Sequence, residues 1–291
     1  MRGRFKNVVT DLAKHDDKVV VLLGDVSVYQ FMKFKDDFPG RFYNMGICEN
    51  TLISVTAGLA ATGFHPFVHT IAPFLTDRSV EQIKLNLCYN RFGGNIVSCG
   101  ASFDYAWDGA THHTYIDLAT LRLLPEMEVI QPGSENELET MLRSQYNNGK
   151  PTYFRLSDHP HAIKTETAFG KGTVLKDVGA AVTVMTAGPL LPNVVEAVAD
   201  LDVNLVSFHT LKPIDRPLVE RFRHTRILVV HDAFGLREAI NEVPGLWTAH
   251  HGMPDRFMDS YGTLADIRRQ IGLDAAGIRA AVRQLMEQPA A

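Results

Sequence analysis

Three short stretches of this sequence carry residue types that do chemistry. Glu49 lies in Arg41-Phe-Tyr-Asn-Met-Gly-Ile-Cys-Glu-Asn50, flanked by Met45, Ile47 and Cys48. A carboxyl group among apolar neighbours can keep a hydrogen bond that water would otherwise take. Its plainer role is to start a helix, where the helix dipole favours negative charge. Phe74 follows in His69-Thr-Ile-Ala-Pro-Phe-Leu75, just after a strand-like run. An aromatic there can stack on a planar ligand, at ~1 kcal/mol beyond burial, or simply fill the core under a loop. The third stretch is Asp108-Gly-Ala-Thr-His112-His113. Its glycine lets the backbone come close, and His112 can donate a hydrogen bond or pass a proton near neutral pH. The bland alternative is a polar turn before a helix. Asp25, in Gly24-Asp-Val-Ser-Val-Tyr29, is either a site acid at a strand end or a turn residue.

These residues need elements to hold them. β-Branched runs alternate with amphipathic stretches, which predicts an α/β fold of mainly parallel sheets flanked by helices. Strands are expected at 18–24, 66–71, 95–98, 128–131 and 152–156. Between them come helices near 49–62, ending at Gly63, then 78–90 and 116–123. Ser134-Glu-Asn-Glu137 has capping-box spacing and opens a helix to about 146. The polar, proline-containing stretch 157–167 is the best domain boundary. The expected division is a first domain at 1–158, a linker at 159–170 and a second domain at 171–291. In the second half, strands are expected at 181–186, 203–208 and 227–231, with helices near 191–201, 217–222 and 235–243.

Composition narrows the function. The 291 residues are 45% hydrophobic and 21% charged, ordinary for a globular chain, with a net charge of −4. No basic stripe points to nucleic acid, and no apolar run approaches membrane-spanning length. Cys48, Cys88 and Cys99 have no C-x-x-C spacing, which argues against a zinc site and fits a reducing cytoplasm. Cys48 reads as small and buried, without a basic partner to make it a nucleophile. His159, His161, His250 and His251 form no metal-ligand pattern, and no metal site is expected on this chain. G-x-S-x-G, P-loop and G-x-G-x-x-G motifs are all absent.

Taken in order, the three stretches resemble the pyrimidine-binding half of thiamine-diphosphate enzymes, and the transketolase family most closely. Ala57-Gly-Leu-Ala-Ala-Thr-Gly63, Arg78-Ser-Val-Glu-Gln-Ile83 and Leu124-Pro-Glu-Met-Glu-Val-Ile-Gln-Pro132 extend the likeness, which covers about residues 5–245. The resemblance implies thiamine diphosphate and Mg²⁺ as cofactors. It makes Glu49 the acid that bonds the pyrimidine ring nitrogen, Phe74 the stacking aromatic and Asp25 an acid near the cofactor. Asp108 and His112 become the catalytic pair that also contacts the substrate. His113 is left to cap or pack. Full-length members carry a Gly-Asp-Gly…Asn domain that holds Mg²⁺ and the diphosphate, and this sequence has no such motif. The resemblance therefore implies the C-terminal, beta-like subunit of a split transketolase, completed as α₂β₂ by an N-terminal-type subunit that holds the metal. Such an enzyme moves a two-carbon ketol unit between sugars or related aldehydes.

The sequence departs from the family at the substrate end. Gly100 stands where many transketolases place a histidine that contacts the donor sugar, and it is counted with Asp108 and His112 as substrate-binding. Leu156-Ser157 leads to Asp158, where an arginine for the substrate phosphate is usual. Arg155 is nearby, but a residue at another strand position need not point into the site. Tyr105 and Trp107 add aromatic surface before Asp108. An unphosphorylated substrate is the expectation. Two other readings stand beside this one. The first is another thiamine-diphosphate subunit, like 1-deoxyxylulose-5-phosphate synthase or a 2-oxo-acid dehydrogenase beta chain. The second is a catalytically inert interaction subunit. His231-Asp-Ala-Phe-Gly235 departs from the family's strand-end turn, so the second domain is expected to serve packing and oligomerisation.

Overall fold

The computed structural model describes residues 1–288; residues 289–291, the end of the second expected domain, lie outside them. Two sheets organise the chain. The first contains β1 (Val19–Leu23), β2 (Phe42–Asn44), β3 (His65–Ile71), β4 (Gly94–Cys99), β5 (Glu128–Ile130) and β6 (Pro151–Arg155). The second contains β7 (Gly172–Lys176), β8 (Val182–Ala187), β9 (Asn204–Phe208), β11 (Arg226–His231) and β12 (Thr248–Gly252). The remaining strand, β10 (Thr210–Lys212), leaves the second half and pairs antiparallel with β5 at the edge of the first sheet. The first sheet runs β10-β5-β6-β4-β3-β1-β2 and the second β12-β11-β8-β9-β7. All pairings are parallel except β10 with β5 and β7 with β9. The α/β architecture of two mainly parallel sheets is as the sequence predicts.

The central strands form for a simple reason. Val19–Leu23, Gly94–Cys99 and Val182–Ala187 are buried along their whole length, as in a sheet covered on both faces; the first is apolar throughout, and in the others the buried Asn95, Ser98 and Thr183 side chains are hydrogen-bonded. One core cluster spans the two sheets, joining Leu118, Leu121 and Val129 to Met185, Val206 and Leu236. A hydrogen bond of 2.8 Å between the Gln131 and His231 side chains crosses the same junction.

Several elements differ from expectation. The expected helix at 78–90 is a 3₁₀ turn at Asp77–Ser79, one α turn at Val80–Gln82 and a π-helix at Ile83–Tyr89. A π segment widens the turn, and such segments cluster at functional sites. The opening residues fold as the helix Arg2–His15, which buries Phe5, Val8 and Val9 beneath a polar outer face. The strands β7, β10 and β12 and the helices Leu264–Gln270 and Ala275–Glu287 were not anticipated. The capping box at Ser134 is present as read, with Ser134 Oγ accepting from the Glu137 amide at 3.2 Å.

Candidate active site

The strand order itself points to a crevice. The chain passes from β1 to β2 on one side and then to β3 on the other, so the loops leaving β1 and β3 diverge. Ligands of open parallel sheets bind at such a switch point, beyond the carboxyl ends of the strands. Into this region come the loop after β1 with Asp25, the segment after β2 ending in Glu49, and the turn after β3 with Phe74. The loop after β4 with Tyr105, Asp108 and His112 joins them, as does the turn after β6 with Asp158.

Four side chains meet here. Glu49 is the first residue of the helix Glu49–Ala61 and is 4% exposed. The preceding Cys48 offers no side-chain cap, so the carboxylate at the positive helix end also satisfies the plainer reading. Arg78 Nη1 donates to Glu49 Oε2 at 3.4 Å. The same guanidinium lies 4.2 Å above the Phe74 ring centroid. The His112 ring meets Phe74 edge-on at 5.1 Å. Arg78 was read only as part of a sequence likeness, and its place between Glu49 and Phe74 depends on the turn at Asp77–Ser79. Cys48 is half-buried, where full burial was expected, and its thiol donates to the Met45 carbonyl at 3.1 Å.

His112 is held by its loop. Its amide donates to the Gly109 carbonyl at 2.9 Å, and Thr111 Oγ1 pairs with Nδ1 at 2.9 Å. Nε2 is then the ring nitrogen open to a ligand. Gly109 has φ +74°, and a Cβ there would stand 2.6 Å from Tyr261, so only glycine lets the backbone pass. Asp108 is exposed beside it. His113 turns the other way, is 5% exposed and packs edge-on against Phe103 at 5.0 Å. Packing, one of the two roles left open for it, is what it does here, and burial holds its pKa down.

The base of this loop is pinned by Arg155. Its guanidinium is fully buried and donates to Asp117, to Ser102 Oγ at 3.0 Å and to the Thr114 carbonyl at 2.7 Å. Ser102 and Thr114 are bridged across the two stems of the loop. Arg155 thus points into the scaffold and away from the site, as its strand position allows.

Gly100 and Tyr105 share one space. Gly100 has φ +75°, and a Cβ built there would lie 2.5 Å from the Tyr105 ring. Tyr105 also faces His112 at 6.3 Å and Trp107 at 5.6 Å. The room a larger side chain at 100 would need is filled by this tyrosine. Trp107 is 60% exposed at the rim.

The far rim is charged. Asp25 is exposed, takes φ 62° and exchanges hydrogen bonds with Asn44 at 3.0 and 3.1 Å. That pairing fits the turn role, and Asp25 also lines a pocket with Arg2 and Ser27 at the carboxyl end of β1. Arg2 Nε and Nη2 both donate to Asp158, at 3.1 and 3.0 Å. Asp104 lies beneath, accepting from Ser157 Oγ at 2.9 Å and the Asp158 amide at 2.8 Å. Burial pushes its carboxyl up to about 7. Arg2 was missed from sequence because its partner is 156 residues away. Among the described residues no group of three His, Cys, Asp or Glu could hold a metal ion. No helix there is long and apolar enough to cross a membrane.

With that geometry in place, the comparisons agree on a family. The family model "Transketolase, pyrimidine binding domain" matches residues 1–159. The chain belongs to the transketolase family. Among solved structures, a split-gene transketolase described as an inactive beta4 tetramer superposes with a TM-score of 0.86 at 30% identity, covering 97% of both chains. A 1-deoxy-D-xylulose-5-phosphate synthase of Thermus thermophilus is 31% identical over 96% of this chain and 47% of its own length. An uncharacterized 33.6 kDa protein of a fasciation locus in Rhodococcoides fascians is 34% identical over 72% of this chain and 67% of its own. The chain spans about half the length of the synthases it matches (47% in the case quoted). Its two sheets are those of the transketolase pyrimidine-binding and C-terminal domains, and the family's chemistry is thiamine-diphosphate-dependent.

Proposed function

We propose that this chain is the pyrimidine-binding subunit of a split transketolase. In this reading it transfers a two-carbon ketol unit between sugars or related aldehydes in an active site shared with a second subunit. The observation that carries this reading is the slot between Glu49 and Phe74. A planar, hydrogen-bonding group already sits there: the Arg78 guanidinium, stacked on Phe74 and bonded to Glu49. An aminopyrimidine ring makes the same two demands, a flat face to stack and a ring nitrogen to bond a carboxyl. The residues present fit that group.

When bound, thiamine diphosphate supplies the nucleophilic carbon that lets a bond next to a carbonyl break and re-form. The protein's own part is positional and electrostatic. Glu49 holds the pyrimidine ring nitrogen from the helix start, Phe74 sets the plane of the ring, and Arg78 gives up its place on Phe74. Asp25 borders the cofactor from the loop after β1. His112, with Nδ1 engaged by Thr111, uses Nε2 to hold a substrate oxygen and move its proton. Asp108 accepts from a substrate hydroxyl, and Gly100 with Tyr105 walls the substrate end. The diphosphate and Mg²⁺ belong to the partner, in an α₂β₂ assembly in the cytoplasm. The match to a split-gene transketolase over 97% of both chains supports a separate partner subunit. The division into domains at 1–158 and 171–291, joined by a linker at 159–170, belongs to the same reading, with the second domain serving assembly.

Native mass spectrometry of the chain purified from its own cells, with Mg²⁺ and thiamine diphosphate, tests the assembly. The expected particle holds two copies of this chain and two of a second chain with a Gly-Asp-Gly…Asn motif. A homo-oligomer that takes up no cofactor would favour an inert interaction subunit. Similarity to 1-deoxy-D-xylulose-5-phosphate synthases favours an acyloin-forming subunit as the second reading. Release of CO₂ from pyruvate, which carries no hydroxyl to leave a ketol unit, would identify that chemistry or the dehydrogenase's, whereas ketol transfer from a ketose releases none.

A further inference from the structure

A pocket of about 480 Å³ opens at the carboxyl end of β1, lined by Arg2, Asp25, Ser27, Val28, Tyr29 and Gln30. Arg2 is the one cation among these residues. Two of its three nitrogens are taken by Asp158, which leaves Nη1 as its open edge. Asp158 is not a loose surface acid. Its amide is tied to Asp104, and Asp104 also receives Ser157. Tyr105 stands between this cluster and His112. Its ring faces His112 at 6.3 Å, its hydroxyl donates to Cys99 at 3.6 Å, and it lies within the electrostatic reach of Arg2.

The occupied guanidinium decides what fits. Arg2 and the Met1 ammonium, which donates to the Ser157 carbonyl at 3.3 Å, bring two positive charges, and Asp25 and Asp158 bring two negative ones. Arg2 is the only cationic side chain in this lining, and the fork with which it would grip a phosphate already holds a carboxylate. A phosphate entering here would also come up against the carboxylates of Asp25 and Asp158. Hydroxyl groups face the opposite situation. They can accept from Arg2 Nη1 and Gln30, donate to Asp25, and bond Ser27, whose hydroxyl pairs with His69 at 3.0 Å. Resting on the ketol-transfer reading, we propose that the Arg2–Asp158 pair selects the substrate. The pocket receives the uncharged, hydroxylated end of an aldehyde or ketose and turns a phosphorylated end away.

The test uses the assembled enzyme with its partner, erythrulose as a neutral ketose donor, and two acceptors, glyceraldehyde and glyceraldehyde 3-phosphate. The neutral acceptor should be favoured in kcat/KM by at least about tenfold, mostly through KM. Asp158→Asn frees the guanidinium and should move the ratio toward the phosphorylated acceptor by about tenfold or more. Arg2→Ala added to that variant should abolish the gain. Equal or better use of the phosphorylated acceptor by the unaltered enzyme overturns the proposal, as does an unchanged ratio in Asp158→Asn. A second measurement does not need turnover. Millimolar inorganic phosphate should raise the melting temperature of the Asp158→Asn chain and leave the unaltered chain unmoved. A phosphate shift in the unaltered chain, or none in the variant, overturns the proposal. Failure of both acceptors to react would count against ketol transfer, while the phosphate titration would still decide the role of the pair.

Discussion

Arg155 Nε donates to Asp117 Oδ2 at 2.8 Å, and neither side chain has any solvent exposure. Tyr153 adds a hydroxyl bond of 2.6 Å to the same oxygen. Breaking a buried pair from one side leaves an uncompensated charge, at a cost of about 3–5 kcal/mol. Arg155→Met should therefore lower stability by that order in urea unfolding. Asp117→Asn in the same chain should recover part of the loss, since the stranded charge is gone. Because Arg155 also holds Ser102 and the Thr114 carbonyl, both variants should lose turnover even where they fold. An Arg155→Met chain with unaltered stability would show that the pair does not anchor the loop.

Glu49 gives a sharper functional test. Glu49→Gln keeps the volume at the helix start and removes the acid. Turnover of the assembled enzyme should fall by about 10²–10⁴-fold, the usual weight of a positioned acid or base. Stability should change by ~1 kcal/mol or less, the scale of a charge at a helix end. Full activity in this variant, or in Glu49→Ala, would move the assignment to an inert subunit.

Gly100→Ala separates two costs. The φ of +75° strains any side chain, and the added Cβ meets the Tyr105 ring at 2.5 Å. The variant should lose about 1–3 kcal/mol from the backbone strain and a further amount from the clash. In a Tyr105→Ala background the clash disappears and only the strain remains. Equal losses in the two backgrounds would mean that Tyr105 does not fill the space at 100.

Asp104 makes stability depend on pH with an unusual sign. Burial keeps its proton on to about pH 7 in the folded chain, against an ordinary value of 3.8. The folded state therefore holds the extra proton between these limits, and this contribution to stability falls as pH rises from about 4 to about 7. Asp104→Asn should be progressively more stable than the unaltered chain across that window, and by more than ~1.4 kcal/mol above it, the worth of one pKa unit. Denaturation midpoints at a series of pH values give the difference curve; a flat one would contradict the assignment.

Two buried histidines act in the opposite sense. Burial holds His69 and His209 down to about 4 each, from 6.5. Each must be charged on unfolding in acid, so stability is lost as pH falls from about 6.5 through about 4. His69→Phe should flatten this acid limb by its own share, read from the same series of midpoints.

The sequence by itself determined the parts of this protein that are local. Continuous apolar runs such as Val19–Leu23 must be buried strands whatever surrounds them, and their alternation with helices limits the fold to parallel α/β sheets. Glu49, Phe74 and the Asp108–His112 turn were legible because residue type and spacing within short segments carry them. The strands β7 and β12 were not, because their residues are half-exposed and lack a continuous apolar run. The segment at 78–90 reads as one helix because 3₁₀, α and π turns draw on the same residue types and differ in which carbonyl each amide reaches, three, four or five residues back, which residue types do not specify.

Only the tertiary structure decided which charges neutralise one another. Arg78 with Glu49, Arg155 with Asp117 and Arg2 with Asp158 are separated by 29, 38 and 156 residues. Nothing local specifies such partners. The sheet order sets them by bringing the carboxyl ends of β1, β3, β4 and β6 to one crevice. There an exposed-looking arginine becomes a ring-stacking plug or the lock on a neighbouring carboxylate. Residue types told what chemistry was possible, and the crossing of the chain between β2 and β3 decided where the charges met.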